Sequence, residues 1–198
     1  MAKIDLKLIQ ELRTITGMGM LDCRKALEEN DGNIEKAIIA LRKKGASVAA
    51  KRSGNTTAEG IVQAYIHPGS HVGVLLELNC ETDFVANTDD FKQCANDICL
   101  HIAALKPFYL APEDVDPAFL ERERDILRDQ LKSSGKPDKM IDQIVEGKVS
   151  KLYSEICLLK QTFVKNDQFT VEQYIQGLIG KLGENIKIKR FARFEIGA

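Results

Sequence analysis

Five cysteines, Cys23, Cys80, Cys94, Cys99 and Cys157, and three histidines, His67, His71 and His101, are the residues of this chain with the most obvious chemistry. A thiolate beside an imidazole is a nucleophile, and a cluster of the two can hold zinc. Neither pattern is spelled out. The cysteines are scattered, odd in number and contain no C-x-x-C pair, which reads as reduced, mostly buried small apolar residues in a reducing compartment. No spacing places a histidine as the base of a catalytic thiol, and none matches a zinc site. The Gly-Lys pairs at Gly135, Gly147 and Gly180 lack the earlier glycine and the following Ser or Thr of a phosphate-binding P-loop. No metal and no cofactor are therefore expected, and the chain is not expected to hold nucleotide phosphates itself.

The totals narrow the classes further. In 198 residues Lys and Arg number 28 against 29 Asp and Glu, a formal net charge of -1. Affinity for phosphate backbones rests on a basic excess, so direct nucleic-acid binding is not expected and a folded protein is the better partner. No apolar run approaches the roughly 18 to 20 residues of a membrane span, and the start Met1-Ala-Lys-Ile-Asp-Leu-Lys has no secretory apolar core. The expectation is a cytoplasmic protein without membrane contact.

One stretch stands out, Glu81-Thr82-Asp83-Phe84-Val85-Ala86-Asn87. Before it, Val72, Val74, Leu76 and Leu78 alternate as in a half-buried strand. After it, Thr88 is a good helix N-cap, Asp89 and Asp90 suit the positive end of a helix, and Phe91, Cys94, Ala95, Ile98, Ile102 and Leu105 recur at helical spacing. The loop is pinned at both ends by rigid elements. Phe84 at its centre, preceded by a carboxylate, is either a lid on its own core or a wedge for another protein.

The elements around that loop can be read in order. Leu8, Ile9, Leu12 and Ile15 form a first helical stripe stopped by Gly17. Met20, Cys23, Ala26 and Leu27 form a second, and Ile34, Ala37, Ile38 and Leu41 a third that Gly45 closes. Met18 and Met20 on the glycine-rich turn are either core filler or an adaptable docking surface. Residues 46–57 read as a linker. Val62, Ala64 and Ile66 alternate, His67-Pro68-Gly69-Ser70 turns, and Val72 to Asn79 returns, an antiparallel hairpin. Asp116-Pro117 starts a helix with Leu120, Ile126, Leu127 and Leu131 on its stripe. Ile141, Ile144, Val145, Val149 and Leu152 answer from a second helix, so residues 116–155 predict an antiparallel helical hairpin. Residues 156–169 show no regular pattern. Thr170 caps a last helix carrying Val171, Ile175, Leu178, Ile179 and Leu182, and a closing strand puts Ile186, Ile188, Ala192, Phe194 and Ile196 on one face. The predicted fold class is α+β, a three-stranded antiparallel sheet with helices on one face behind an N-terminal helical domain.

Several motifs together carry a resemblance. Glu11-Leu12-Arg13 with Thr16-Gly17, Met20 through Leu27, Gly45-Ala46 through Lys51, Thr82-Asp83-Phe84-Val85-Ala86, Ser134-Gly135-Lys136-Pro137 with Val145-Glu146-Gly147, and Arg193 through Gly197 make the chain similar over nearly its whole length to the elongation factor Ts family. The resemblance implies a guanine-nucleotide exchange factor for the translational GTPase elongation factor Tu, without covalent chemistry, in a bacterial cytoplasm. It also implies a ubiquitin-associated-like (UBA-like) three-helix domain over 1–45, a linker over 46–57, and a dimerisation core over 58–198 with a protruding helical hairpin. The Asp83-Phe84 pair, with Thr82 and Val85, would insert into the partner's GTP-binding domain near its magnesium site, and Arg13, Met20 and Leu21 would dock on the same domain. Leu21 stands where many members have methionine. His67 matches a partner-facing histidine of the second core repeat of longer members. This chain has a single repeat, and short members are homodimers, which implies a two-plus-two complex. The rival classes are a plain adaptor working through Met18 and Met20, and a thiol enzyme.

Overall fold

A computed structural model describes residues 4–134 and 137–197; Gly135 and Lys136, which the motif places in the turn between two helices, lie outside the described residues. The chain divides into two compact units, residues 1–103 with 172–198, and residues 104–171.

The first unit opens with three helices, α1 (Leu6–Thr16), α2 (Met20–Glu29) and α3 (Ile34–Arg52). The Asp5 carboxylate accepts from the Lys7 N–H at the start of α1, and Gly17 at φ 68° ends it with its N–H on the Arg13 carbonyl. Ile9, Leu12, Cys23, Ala26, Leu27, Ala37 and Leu41 form their common core, and Met18 joins it at 3% exposure. Met18 is therefore core filler.

The third helix does not close at Gly45. It runs on to Arg52, through most of the stretch read as a linker, because Gly45 has a different job. Its missing side chain admits α8 (Val171–Leu182): a Cβ on Gly180 would lie 3.0 Å from the Gly45 Cα, and one on Gly45 would lie 3.1 Å from the Gln176 carbonyl. Ala46, Ala49 and Ala50 are good helix formers, so nothing local stops the helix.

The sheet is antiparallel in the order β1 (Glu59–Ile66), β2 (Val72–Cys80), β3 (Lys187–Glu195). Val74, Leu76, Leu78 and Cys80 are buried on one face, as the alternation predicts. Helix α5 (Asp89–Leu105) covers that face: Arg193 of β3 donates from Nε to the Ala103 carbonyl at 3.3 Å, and the Cys99 thiol lies 3.8 Å from the Gln63 carbonyl of β1. On α5 Phe91, Cys94, Ala95, Ile98 and Ile102 are buried, and Thr88 caps the helix through its Oγ1 on the Phe91 N–H.

The last strand departs from simple alternation. Leu78 pairs with Ile188 but Glu77 pairs with Arg190, so Lys189 is an extra residue, a β-bulge. A bulge exchanges inward and outward positions beyond it. Ile186 and Ile188 are buried as expected, whereas Phe194 and Ile196 are 67% and 72% exposed on the opposite face. The single-face reading of this strand is thus corrected.

The second unit holds α6 (Pro117–Ser133) and α7 (Asp138–Ile156). The Asp116 carboxylate caps α6 by accepting from the Ala118 N–H. Leu120 and Leu131 of α6 pack with Ile141, Val145 and Val149 of α7, while Ile126 is half exposed. Arg124 pairs with Glu146 and Arg128 with Asp142, an order that runs the two helices antiparallel. Residues 156–169, expected to be irregular, hold a short 3-10 turn, Leu158–Lys160, and two isolated bridges.

Candidate docking site

The stretch Glu81–Asn87 leaves β2 at the buried Cys80 and forms a single helical turn, α4 (Asp83–Ala86). Four residues are far too few to hold a helix by backbone bonds alone. The turn is held by side chains. Thr82 is its N-cap, taking the Val85 N–H on Oγ1 at 3.4 Å. Asn87 donates from Nδ2 to the Asp83 carbonyl at 3.0 Å, and Thr88 donates from Oγ1 to the Val85 carbonyl at 2.8 Å. Ala86 turns inward and is buried, Val85 is half-buried, and Asp83 and Phe84 face solvent. Capping falls to Thr82; the Asp83 carboxylate sits in the first turn, where the positive end of the turn favours it.

Phe84 is 82% exposed. A lid would be buried on one ring face at least, so of the two roles open to this ring only the outward one fits. An aromatic ring left in water forgoes about 1.5–3 kcal/mol of burial.

A second layer fixes the turn to the rest of the unit, and two glutamates dominate it. Glu184, in the connection from α8 to β3, accepts on Oε2 from the backbone N–H of Thr82 (3.0 Å) and of Glu81 (3.2 Å), and on Oε1 from the Thr82 hydroxyl (2.6 Å). Glu81 answers in the other direction. Its Oε1 accepts from the Asn185 N–H at 2.6 Å, and its Oε2 accepts from Asn55 Nδ2 at 2.9 Å and Arg52 at 3.4 Å. The Asn185 N–H above all, then the Asn55 amide and Arg52, hold the Glu81 carboxyl below the usual carboxylate range. Asn185, 2% exposed, donates from its side chain to the Asn55 carbonyl at 2.9 Å, tying in the chain just beyond α3.

Glu184, Asn185 and Asn55 are the residues that the motifs did not single out. The one sequence signal is a polar pair, Glu184-Asn185, wedged between the helix-ending Gly183 and the apolar Ile186 just before the strand.

The other predicted contact residues lie apart from Phe84. Arg13 is exposed on α1, Met20 is half-buried against the three-helix core, and Leu21 beside it is 82% exposed. His67 is exposed in the β1–β2 turn, its Nδ1 3.1 Å from the Tyr65 hydroxyl. That turn and α4 are at opposite ends of β2, about 26 Å apart for nine residues of strand. One chain therefore does not bring His67 and Phe84 together.

The cysteines do not form a reactive centre. All five are buried. Burial pushes the Cys80 and Cys157 thiols up to about 11 and Cys99 up to about 12, and raises Cys23 and Cys94 as well. A nucleophilic thiol needs the reverse, an exposed group with a lowered pKa.

The site is thus a bare aromatic on a polar-clamped turn, in a fold that also exposes Leu21 from a separate helical cluster. Comparison with known sequences supplies the family. The profile of the family described as Elongation factor TS matches residues 21–198. The chain is 55% identical over 197 residues to elongation factor Ts of Desulfitobacterium hafniense, covering all of this chain and 91% of the relative. It is 52% identical over 197 residues to elongation factor Ts of Desulfosudis oleivorans, with both chains covered in full. Against elongation factor Ts of Carboxydothermus hydrogenoformans it is 52% identical over 194 residues, 98% of this chain and 89% of the relative. The chain belongs to the elongation factor Ts family. Among the described residues no helix is long and apolar enough to cross a membrane.

Proposed function

We propose that this chain is a guanine-nucleotide exchange factor for elongation factor Tu, and that Phe84 is the wedge that loosens the nucleotide. The observation that carries the reading is the exposure of Phe84 on a turn whose every neighbour is hydrogen-bonded in place. Exchange requires tighter binding to nucleotide-free partner than to nucleotide-bound partner, with equal and reciprocal loosening of the nucleotide. Burying the ring yields on the order of 1.5–3 kcal/mol. At about 1.4 kcal/mol per decade this accounts for one or two decades of loosening. The rest comes from docking of the UBA-like three-helix cluster through Arg13, Met20 and Leu21, whose binding the wedge converts into distortion near the magnesium site. In this reading Asp83, exposed beside Phe84, enters the partner next to that site, and Thr82 and Val85 flank the contact.

The active form in this reading is a homodimer that binds two partners, and one surface favours it. Val62, Ile66, Leu75, Phe194 and Ile196 are all exposed on the face of the sheet that α5 leaves open. A contiguous apolar sheet face of this kind suits a two-fold, self-matching contact. Two-fold pairing would also add a second His67 to the assembly, which a single chain holds at the far end of β2 from its own Phe84.

The test is release of a fluorescent GDP from purified elongation factor Tu. Wild-type protein should accelerate it, and Phe84→Ala should lower the acceleration by about 10- to 100-fold while its thermal midpoint stays within a degree or two. A mutant that unfolds in step with its loss of activity would contradict the wedge. If neither protein accelerates release although both bind the partner, the chain is an adaptor.

A further inference from the structure

We propose that Glu184 is a positioning residue for exchange: its carboxylate, bonded to the Glu81 and Thr82 N–H groups and the Thr82 hydroxyl, keeps the Phe84 turn from yielding when the ring meets its partner. The proposal rests on the wedge reading and deepens it.

A wedge transmits distortion only if it is stiffer than what it enters. When Phe84 presses on a packed surface, whichever side deforms more readily takes up the free energy of docking. A one-turn helix has too few backbone bonds to resist that load alone. Here the turn is not free to rock, because both oxygens of Glu184 are engaged with it, one of them by two consecutive N–H groups. Bonds to a carboxylate are roughly twice as strong as neutral ones, and the one from the Thr82 hydroxyl is also short, at 2.6 Å. The restraint is also reciprocal. Glu81, on the turn side, takes the N–H of Asn185, next to Glu184, so the two connections hold each other from both directions.

The junction reaches beyond the turn. Asn55 gives its side chain to Glu81 and its carbonyl to Asn185, and Lys187 donates to the Ser53 carbonyl at 2.9 Å. These residues follow directly on α3, the third helix of the cluster that carries Arg13, Met20 and Leu21. A load on the helical cluster and a load on Phe84 thus meet at the two glutamates. Loss of the Glu184 charge should therefore impair the conversion of binding into nucleotide release rather than binding itself.

Glu184→Gln keeps the shape and replaces one acceptor by a donor facing N–H or O–H groups. The measurement is GDP release from elongation factor Tu as a function of exchange-factor concentration, for wild type, Glu184→Gln, Phe84→Ala and the double mutant. The expected result is a maximal release rate about tenfold below wild type for Glu184→Gln with half-saturation moved less than about twofold, the effect of one charge-assisted bond. In the double mutant the second change should add less than about a further twofold, because both act through one ring. An unchanged maximal rate, a shift confined to half-saturation, or losses that multiply would each overturn the proposal while leaving the wedge intact. If Phe84→Ala alone changes nothing, the wedge fails and the proposal with it. Should Glu184→Gln not fold, Glu81→Gln breaks the reciprocal bond and is read by the same criteria.

Discussion

The Phe84 turn and the open face of the sheet both put apolar groups into water, and they do it by opposite means. At the turn a single ring is held out by a frame of polar bonds, with two carboxylates, two threonines and three asparagines around it. On the sheet the exposed groups, Val62, Ile66, Leu75, Phe194 and Ile196, need no frame beyond the strand ladder. The difference separates two uses of hydrophobic surface. A broad face gains by area and tolerates small errors of position, as association of copies requires. A lone ring gains little by area, so its value lies in where it is held, and the surrounding polar network supplies that.

The largest effect should come from a charge on the face. Leu75 lies on the central strand between Ala64 and Ala192, so Leu75→Glu would put one unpaired carboxylate per chain into the proposed two-fold contact. A dimer joined there should dissociate with a constant raised by at least about a hundredfold. Sedimentation equilibrium reads this directly, and the far-ultraviolet circular dichroism should be unaltered because the position is half exposed. An unchanged mass would place the dimer contact elsewhere and leave the apolar face unexplained.

A smaller effect is expected in the scaffold that serves both sites. Gly180→Val would drive a branched side chain toward the Gly45 Cα, already 3.0 Å from where a Cβ would stand, and toward Met18 at 3.4 Å. Overpacking at a helix crossing costs about 1–3 kcal/mol. Urea denaturation should show a lower midpoint for this variant. Turn and face should weaken together; selective loss of either would mean that α3 and α8 support only one of them.

Much of this contrast could be read from residue order, and the exceptions share a cause. The alternation of Val74, Leu76 and Leu78, the caps Thr88 and Asp116, and the glycine stop at Gly17 are local features, and each element formed where its own residues require it. Gly45 misled because the same absence of a side chain serves a helix stop and a helix crossing, and only α8 decides between them. The outward turn of Phe194 and Ile196 follows from one bulged residue, Lys189, which an alternating pattern does not mark. The Glu81 and Glu184 pair was illegible for a stronger reason. Its bonds join residues 102 to 104 positions apart, and neither segment has a periodicity that points at the other. Phe84 was legible as special but not as exposed, since a loop aromatic has no partner pattern of its own.

The smallest effect separates the two regions by pH. Glu81 is held below the ordinary carboxylate range, with the Asn185 N–H as the main cause and Asn55 and Arg52 behind it; Glu184 and Lys187 are the further charged groups at the junction. A depressed folded-state pKa means that the ionised form is the one the native protein favours. Its contribution is complete above the unfolded value, about 4.3 for a glutamate, and is lost as pH falls through the lower folded value. Wild type should therefore exceed Glu81→Gln in thermal midpoint by a constant margin from pH 8 to about pH 5, and the margin should shrink toward zero in more acidic solution. The apolar side chains of the sheet face carry no proton, so Leu75→Glu compared with Leu75→Gln makes the converse case: there the neutral form should be the better tolerated, and acid should restore association. Opposite slopes in acid would establish that one region is built on charge and the other on its exclusion, whereas a margin at Glu81 that persists after NMR titration shows its carboxyl protonated would mean that its hydrogen bonds outlive its ionisation.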